Sequence, residues 1–110
     1  MIRRALFVGI DNYTNGIPAL SCACNDANAL FEYFRSRSYD VSILRNGRTS
    51  DILKQLDEQT GKLQPGEVFL FFFAGHGYTI DINGQCERRL AGAEDCLFAP
   101  SKGSPNSERI

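Results

Sequence analysis

Apolar residues fall along this chain in two alternating rhythms. Arg4-Ala5-Leu6-Phe7-Val8-Gly9-Ile10 is a short, near-continuous apolar run that halts at Asp11-Asn12, the pattern of a strand buried on both faces of a sheet. The stretch from Tyr13 to Ser21 holds Asn15-Gly16 and Pro18 and reads as turns. From Asn25-Asp26 the period becomes helical. Ala27, Leu30, Phe31 and Phe34 recur at i, i+3, i+4 and i+7, with an acidic residue in the first turn, where the helix dipole favours it. Val41-Ser42-Ile43-Leu44 predicts a second strand ending at Asn46-Gly47. Thr49 or Ser50 is placed to cap a second helix, with Asp51 in its first turn, Ile52, Leu53 and Leu56 on one face and Gly61 near its end. Pro65-Gly66 then punctuates the chain before Val68-Phe69-Leu70-Phe71-Phe72-Phe73-Ala74, its most apolar segment, which predicts a central strand.

The resulting order is β-α-β-α-β, with crossovers long enough for parallel strands. It predicts an α/β fold: a doubly wound, mostly parallel sheet with helices on both faces. In such sheets chemistry gathers beyond the carboxyl ends of the strands. Asp11-Asn12-Tyr13 and Gly75-His76-Gly77 occupy those places. Further on, Tyr78 to Ile82 and Arg88 to Ala91 flank Asn83-Gly84, a hairpin signal. Cys96-Leu97-Phe98-Ala99-Pro100 is one more apolar run, and the polar, Gly/Pro/Ser-rich tail over 101–110 predicts a surface loop.

Composition contributes mainly exclusions. The 110 residues amount to one small domain, long enough to bury roughly 65% of the surface its unfolded chain exposes. Twelve Lys and Arg stand against 13 Asp and Glu, for a formal net charge of −1, so the clustered basic charge that binds nucleic acid is missing. The longest apolar run, Val68 to Ala74, has seven residues, far short of the ~20 needed to span a membrane. Met1-Ile2-Arg3-Arg4 leads into too few apolar residues for a signal peptide. The expected compartment is the cytoplasm, with neither nucleic acid nor membrane as partner. There, Cys22, Cys24, Cys86 and Cys96 read as reduced thiols. Cys22-x-Cys24 lacks the spacer of common zinc sites and the single His is distant in sequence, so no metal centre is expected.

His76 is the sole histidine, with a glycine on either side. The glycines allow close approach of another chain, and imidazole is the side chain suited to carrying protons near neutral pH. A strand-end residue in a tight turn is the plainer alternative. Asp11, at the same sheet edge, is a candidate for orienting a loop or contacting substrate, while an Asx-turn with Asn12 would need no substrate.

Phe71-Phe72-Phe73-Ala74-Gly75-His76-Gly77 resembles the apolar strand and Gly-His-Gly block that carries the catalytic histidine of caspase-like cysteine peptidases, including metacaspases and their bacterial relatives. Ala5-Leu6-Phe7-Val8-Gly9-Ile10-Asp11-Asn12-Tyr13 resembles their first strand and its loop. Leu20-Ser21-Cys22-Ala23-Cys24-Asn25-Asp26-Ala27 is similar to the Leu-x-Gly-Cys-x-Asn-Asp-Ala segment that opens their first helix. Cys96 to Pro100 resembles their next strand. Together the four blocks occur in order and cover most of the chain.

The resemblance implies that residues 1–110 form the p20-like N-terminal part of a cysteine endopeptidase domain that cleaves after Arg or Lys. His76 would assist thiolate formation and protonate the leaving amine, while backbone N–H groups, that of Gly77 included, stabilise the oxyanion. Asp26 would form a wall of the S1 pocket and pair with the basic side chain of the substrate; the alternative is a charge in a helix first turn. Ala74 stands where metacaspases often carry Ser, which leaves the choice between Arg and Lys open. In caspases the nucleophile follows the His by about 50 residues, which from His76 points to about position 126. Cys96 comes only twenty residues after His76, and Ala23 occupies the family's Cys position in the helix-opening segment. The chain alone is therefore expected to be inactive, completed by a C-terminal p10-like part of the same precursor and acting on a protein or peptide. Calcium, an activator of many metacaspases, is implied by resemblance alone, because no set of six to eight oxygen ligands is visible. The competing reading is a caspase-like module without activity that regulates a partner. A generic ligand-binding domain fits less well, since Gly-x-Gly-x-x-Gly spacing is missing.

Overall fold

The three apolar runs form one parallel sheet. In the computed structural model, which describes residues 3–13, 17–93 and 108–109, β1 (Arg3–Gly9), β2 (Asp40–Arg45) and β3 (Val68–Ala74) lie in the order β2-β1-β3. The central strand has no solvent face. Ala5, Leu6, Phe7 and Val8 are fully buried, which is why the run is apolar at successive positions instead of alternating.

The crossovers are α1 (Ala23–Ser36) and α2 (Thr49–Gly61), and each covers one face of the sheet. Ala5 and Phe7 point into a cluster with Ala27, Leu30, Phe31 and Phe34 of α1. Leu6, Val8 and Ile10 point the other way, toward Ile52 and Leu56 of α2. The Phe7 ring stacks on Phe34 at 5.6 Å between centroids and meets Phe72 at 6.2 Å. Such aromatic pairs add about 0.5–1.5 kcal/mol each beyond the area they bury. Leu53 departs from the expected apolar face of α2: it is 59% exposed, because Ile52 and Leu56, four residues apart, already define the buried stripe.

The first crossover leads from β1 to β2 on one side of it, and the second leads from β2 back past β1 to β3 on the other. The strand order reverses there, so the carboxyl ends of β1 and β3 lie side by side at the switch point of the sheet. Pairing continues one residue past the strands, with the Ile10 N–H donating to the Ala74 carbonyl at 3.0 Å.

Element boundaries differ from the pattern in four places. α1 begins at Ala23, two residues ahead of the helical period. α2 takes Arg48 as its N-cap, so neither Thr49 nor Ser50 caps it; the Asp51 carboxylate instead accepts the Arg48 N–H at 3.1 Å. The hairpin consists of β4 (His76–Ile82) and β5 (Gln85–Leu90), so β4 starts at His76 and not at Tyr78. Its turn residues Asn83 and Gly84 have φ of 51° and 81°, as a type I′ turn requires. Finally, the tail is not loop throughout. Glu108–Arg109 form β6, antiparallel to β4 and opposite Gly77 and His76. That pairing uses backbone groups on the outer edge of β4 and leaves no mark in the side-chain pattern. The apolar run Cys96 to Pro100 lies outside the described residues, and no described helix is long and apolar enough to cross a membrane.

Candidate active site

Just past the end of β1, Asp11 turns its carboxylate to the start of α1. It accepts the N–H of Ala23 at 2.8 Å and that of Cys24 at 3.2 Å. Cys22, at the N-cap position, makes no capping bond with its side chain, so the cap comes from twelve residues upstream. This explains the early start of α1. A cap of this kind contributes about 1 kcal/mol.

The backbone at Asp11-Asn12 is held by Asn46, and the Asp11 carboxylate is turned to the start of α1. The N–H groups of Asp11 and Asn12 both donate to Oδ1 of Asn46, at 2.9 and 3.0 Å. Asn46 sits just past β2 with φ of 53° and donates its own N–H to the Gly9 carbonyl at 2.8 Å. One side chain thus ties the loop after β1 to the loop after β2.

Tyr13, further along the first loop, reaches the end of β3. Its hydroxyl accepts the backbone N–H of His76 at 2.8 Å and donates to the Ala91 carbonyl at 2.9 Å, both in buried surroundings. The Ala91 N–H returns to the His76 carbonyl at 2.9 Å. Gly75 makes room for this, because a Cβ there would lie 2.6 Å from the Tyr13 hydroxyl.

His76 is only 6% exposed. Its ring meets Tyr13 edge to face, 4.8 Å between centroids. Nε2 lies 2.9 Å from the carbonyl oxygen of Pro18. A carbonyl can only accept, so Nε2 carries the hydrogen, and in the neutral ring the lone pair resides on Nδ1. Gly77, also buried, follows on β4, and β6 runs beside both residues.

Asp26 projects from the first turn of α1, exposed, and its carboxylate has no partner among the described residues. Cys24 is different. Its thiol donates to the Gly9 carbonyl at 3.2 Å, and burial, then the hydrogen bond and charge of Asp11, push its pKa up. It is held as a neutral donor. Cys22 and Cys86 are exposed free thiols; Cys86 pairs with Asp81, five residues along β4 from His76, roughly 16 Å at the rise of a strand. Cys96 lies outside the described residues. Among the described residues no three His, Cys, Asp or Glu side chains gather as a metal site would require, so calcium finds no ligand set there. An apolar cavity of 240 Å³ under Ile52, Leu53, Leu56, Phe71 and Leu90 includes none of the residues named for the site.

The structure therefore gathers Asp11 and His76 at the switch point, with Gly77 beside the imidazole. It adds three residues to which the sequence pattern assigned no part in the site: Tyr13, Pro18 and Asn46. Gly75, in front of His76, was the available signal that something approaches closely.

The family model described as the caspase domain matches residues 2–99. The chain belongs to the caspase-domain family. No curated protein matches it, and no solved structure does. Within a caspase domain, β1, β3 and their loops form an α/β core whose carboxyl edge presents a buried imidazole of fixed tautomer. Such a ring is equipped to take up or release a proton at Nδ1.

Proposed function

We propose that the protein is a cysteine endopeptidase of the caspase/metacaspase type that cleaves after Arg or Lys, with His76 as its general acid and base. The observation that carries this reading is the Nε2–H bond from His76 to the Pro18 carbonyl at 2.9 Å, in a ring that is buried at the switch point of a caspase-domain sheet. With the hydrogen on Nε2 the basic nitrogen of the neutral ring is Nδ1, and the carbonyl supports the positive charge when the ring is protonated.

On this reading the nucleophilic cysteine lies beyond residue 110, about 50 residues after His76, and a C-terminal p10-like part of the same precursor completes the domain. Cys24 is a protonated donor to a carbonyl, and Cys86 is displaced along the hairpin. In the acylation step the thiol proton passes to Nδ1 of His76 as sulfur bonds to the scissile carbonyl carbon. The carbonyl oxygen takes the negative charge and receives the Gly77 N–H. The C–N bond then breaks, and the amine leaves with the proton from Nδ1. Water hydrolyses the thioester by the same route, giving its proton to His76.

Asp26 supplies the charge for a basic P1 side chain, which its exposed carboxylate, without a partner among the described residues, supports. Asp11 fixes the turn that carries it. Free thiols at Cys22, Cys24 and Cys86 favour a reducing compartment such as the cytoplasm. The second reading, an inactive regulatory caspase-like module, is favoured only by the placement of these thiols.

Cleavage of peptides ending in Arg, Lys or Asp by the product of the complete open reading frame tests the proposal. Arg and Lys peptides should be cut and Asp peptides refused, and Asp26→Ala should lower kcat/KM for the basic substrates about tenfold to a hundredfold. Equal cleavage of Asp-ending peptides would refute the specificity, and no cleavage of any peptide would favour the regulatory module.

A further inference from the structure

Three hydrogen bonds close a ring around the backbone of His76. Its N–H donates to the Tyr13 hydroxyl at 2.8 Å, that hydroxyl donates to the Ala91 carbonyl at 2.9 Å, and the Ala91 N–H donates to the His76 carbonyl at 2.9 Å. The hydroxyl is thus inserted between the start of β4 and the residue after β5, where two backbones would otherwise bond directly. The phenol ring also lies edge-on to the imidazole at 4.8 Å. Tyr13 itself is 7% exposed. One side chain therefore sets both the backbone position of His76 and one wall against its ring.

We propose that Tyr13 is a positioning residue for His76: its hydroxyl, held between the His76 N–H and the Ala91 carbonyl, aims the imidazole so that Nε2 meets the Pro18 carbonyl. This rests on the peptidase reading only for its effect on turnover. Backbone N–H and C=O groups at a buried site must be satisfied, so removing the hydroxyl leaves one donor and one acceptor to rearrange together. His76 must then shift toward Ala91 to restore a direct bond. A shift of that kind spoils the 2.9 Å contact to Pro18, because Pro18 belongs to the loop before α1 and not to the hairpin. Gly75 is the matching half of the device. A side chain there would strike the Tyr13 hydroxyl at 2.6 Å and the Phe73 ring at 3.0 Å.

The test is Tyr13→Phe, which keeps the ring and removes the hydroxyl. His76 is the sole histidine of the chain, so its ring signals in ¹⁵N NMR of the 110-residue protein are unambiguous. The Nε2–H signal should exchange with water about ten times faster than in the parent, with the far-ultraviolet circular dichroism unchanged. In the product of the complete open reading frame, kcat should fall about tenfold to a hundredfold with KM within about twofold, the pattern of a misaimed group. An unchanged Nε2–H signal in a folded Tyr13→Phe protein would overturn the proposal whether or not any peptide is cleaved. An altered signal without cleavage by the parent would uphold it while removing the peptidase reading. If Tyr13→Phe does not fold, Gly75→Ala perturbs the same hydroxyl from the other side. Its Nε2–H signal should broaden and exchange faster with water than in the parent, because the added methyl displaces the Tyr13 hydroxyl. A folded Gly75→Ala protein with an unchanged Nε2–H signal would overturn the assignment.

Discussion

Nε2 of His76 lies 2.9 Å from the carbonyl oxygen of Pro18, across 58 residues of sequence. Because the partner is a backbone carbonyl, no mutation at position 18 that preserves the backbone removes it, and the ring cannot reverse its tautomer without losing the bond. The neutral imidazole should therefore carry its hydrogen on Nε2. Long-range ¹H–¹⁵N correlation spectra distinguish the two nitrogens directly. A neutral ring protonated on Nδ1 would contradict the arrangement and reassign the proton-transfer atom.

Asp11 links the end of β1 to the N–H groups of Ala23 and Cys24, so its loss uncaps α1 at its junction with the sheet. Asp11→Ala should lower the unfolding free energy by about 1–2 kcal/mol. Asp11→Asn keeps one acceptor and should cost less. Urea denaturation of the three proteins measures the difference. A cost for Asp11→Ala below about 0.3 kcal/mol would show that solvent or another group replaces the cap.

Cys24 is held as a thiol by burial and by the neighbouring Asp11. Since thiolate is the reactive form, alkylation with iodoacetamide near neutral pH should modify the exposed Cys22 and Cys86 first and Cys24 last. The same effect has a sign in stability. A thiol pKa raised in the folded state means that the unfolded chain releases its proton first as pH rises. The contribution is complete below the ordinary thiol range and is lost as pH climbs through the raised value. Cys24→Ser should flatten that alkaline decline, and an identical pH profile for the two proteins would argue against it.

Much of the fold is legible in the sequence because it rests on burial. Ala5, Leu6, Phe7 and Val8 are apolar in succession since both faces of β1 are covered, and β3 shows its seven residues without ambiguity. What escapes the pattern is polar and distant. The start of α1 depends on Asp11, twelve residues earlier, so no local cap announces it. Asn46-Gly47 is visible as a strand end, but the bonds from Asp11 and Asn12 to Asn46 arise only when two loops meet. β6 pairs by backbone alone. His76 could be singled out by its glycines and its place after β3. Its partners could not, because Tyr13 and Pro18 are contributed by a turn-rich loop whose composition records only that the chain bends there.

The most direct measurement is kcat/KM for an Arg-ending peptide with the product of the complete open reading frame and its His76→Ala variant, the fold of each checked by circular dichroism. With His76 as general acid and base, the variant should retain its fold and lose at least about a hundredfold in kcat/KM. A folded His76→Ala protein that cleaves at the parent rate would contradict the role given to His76.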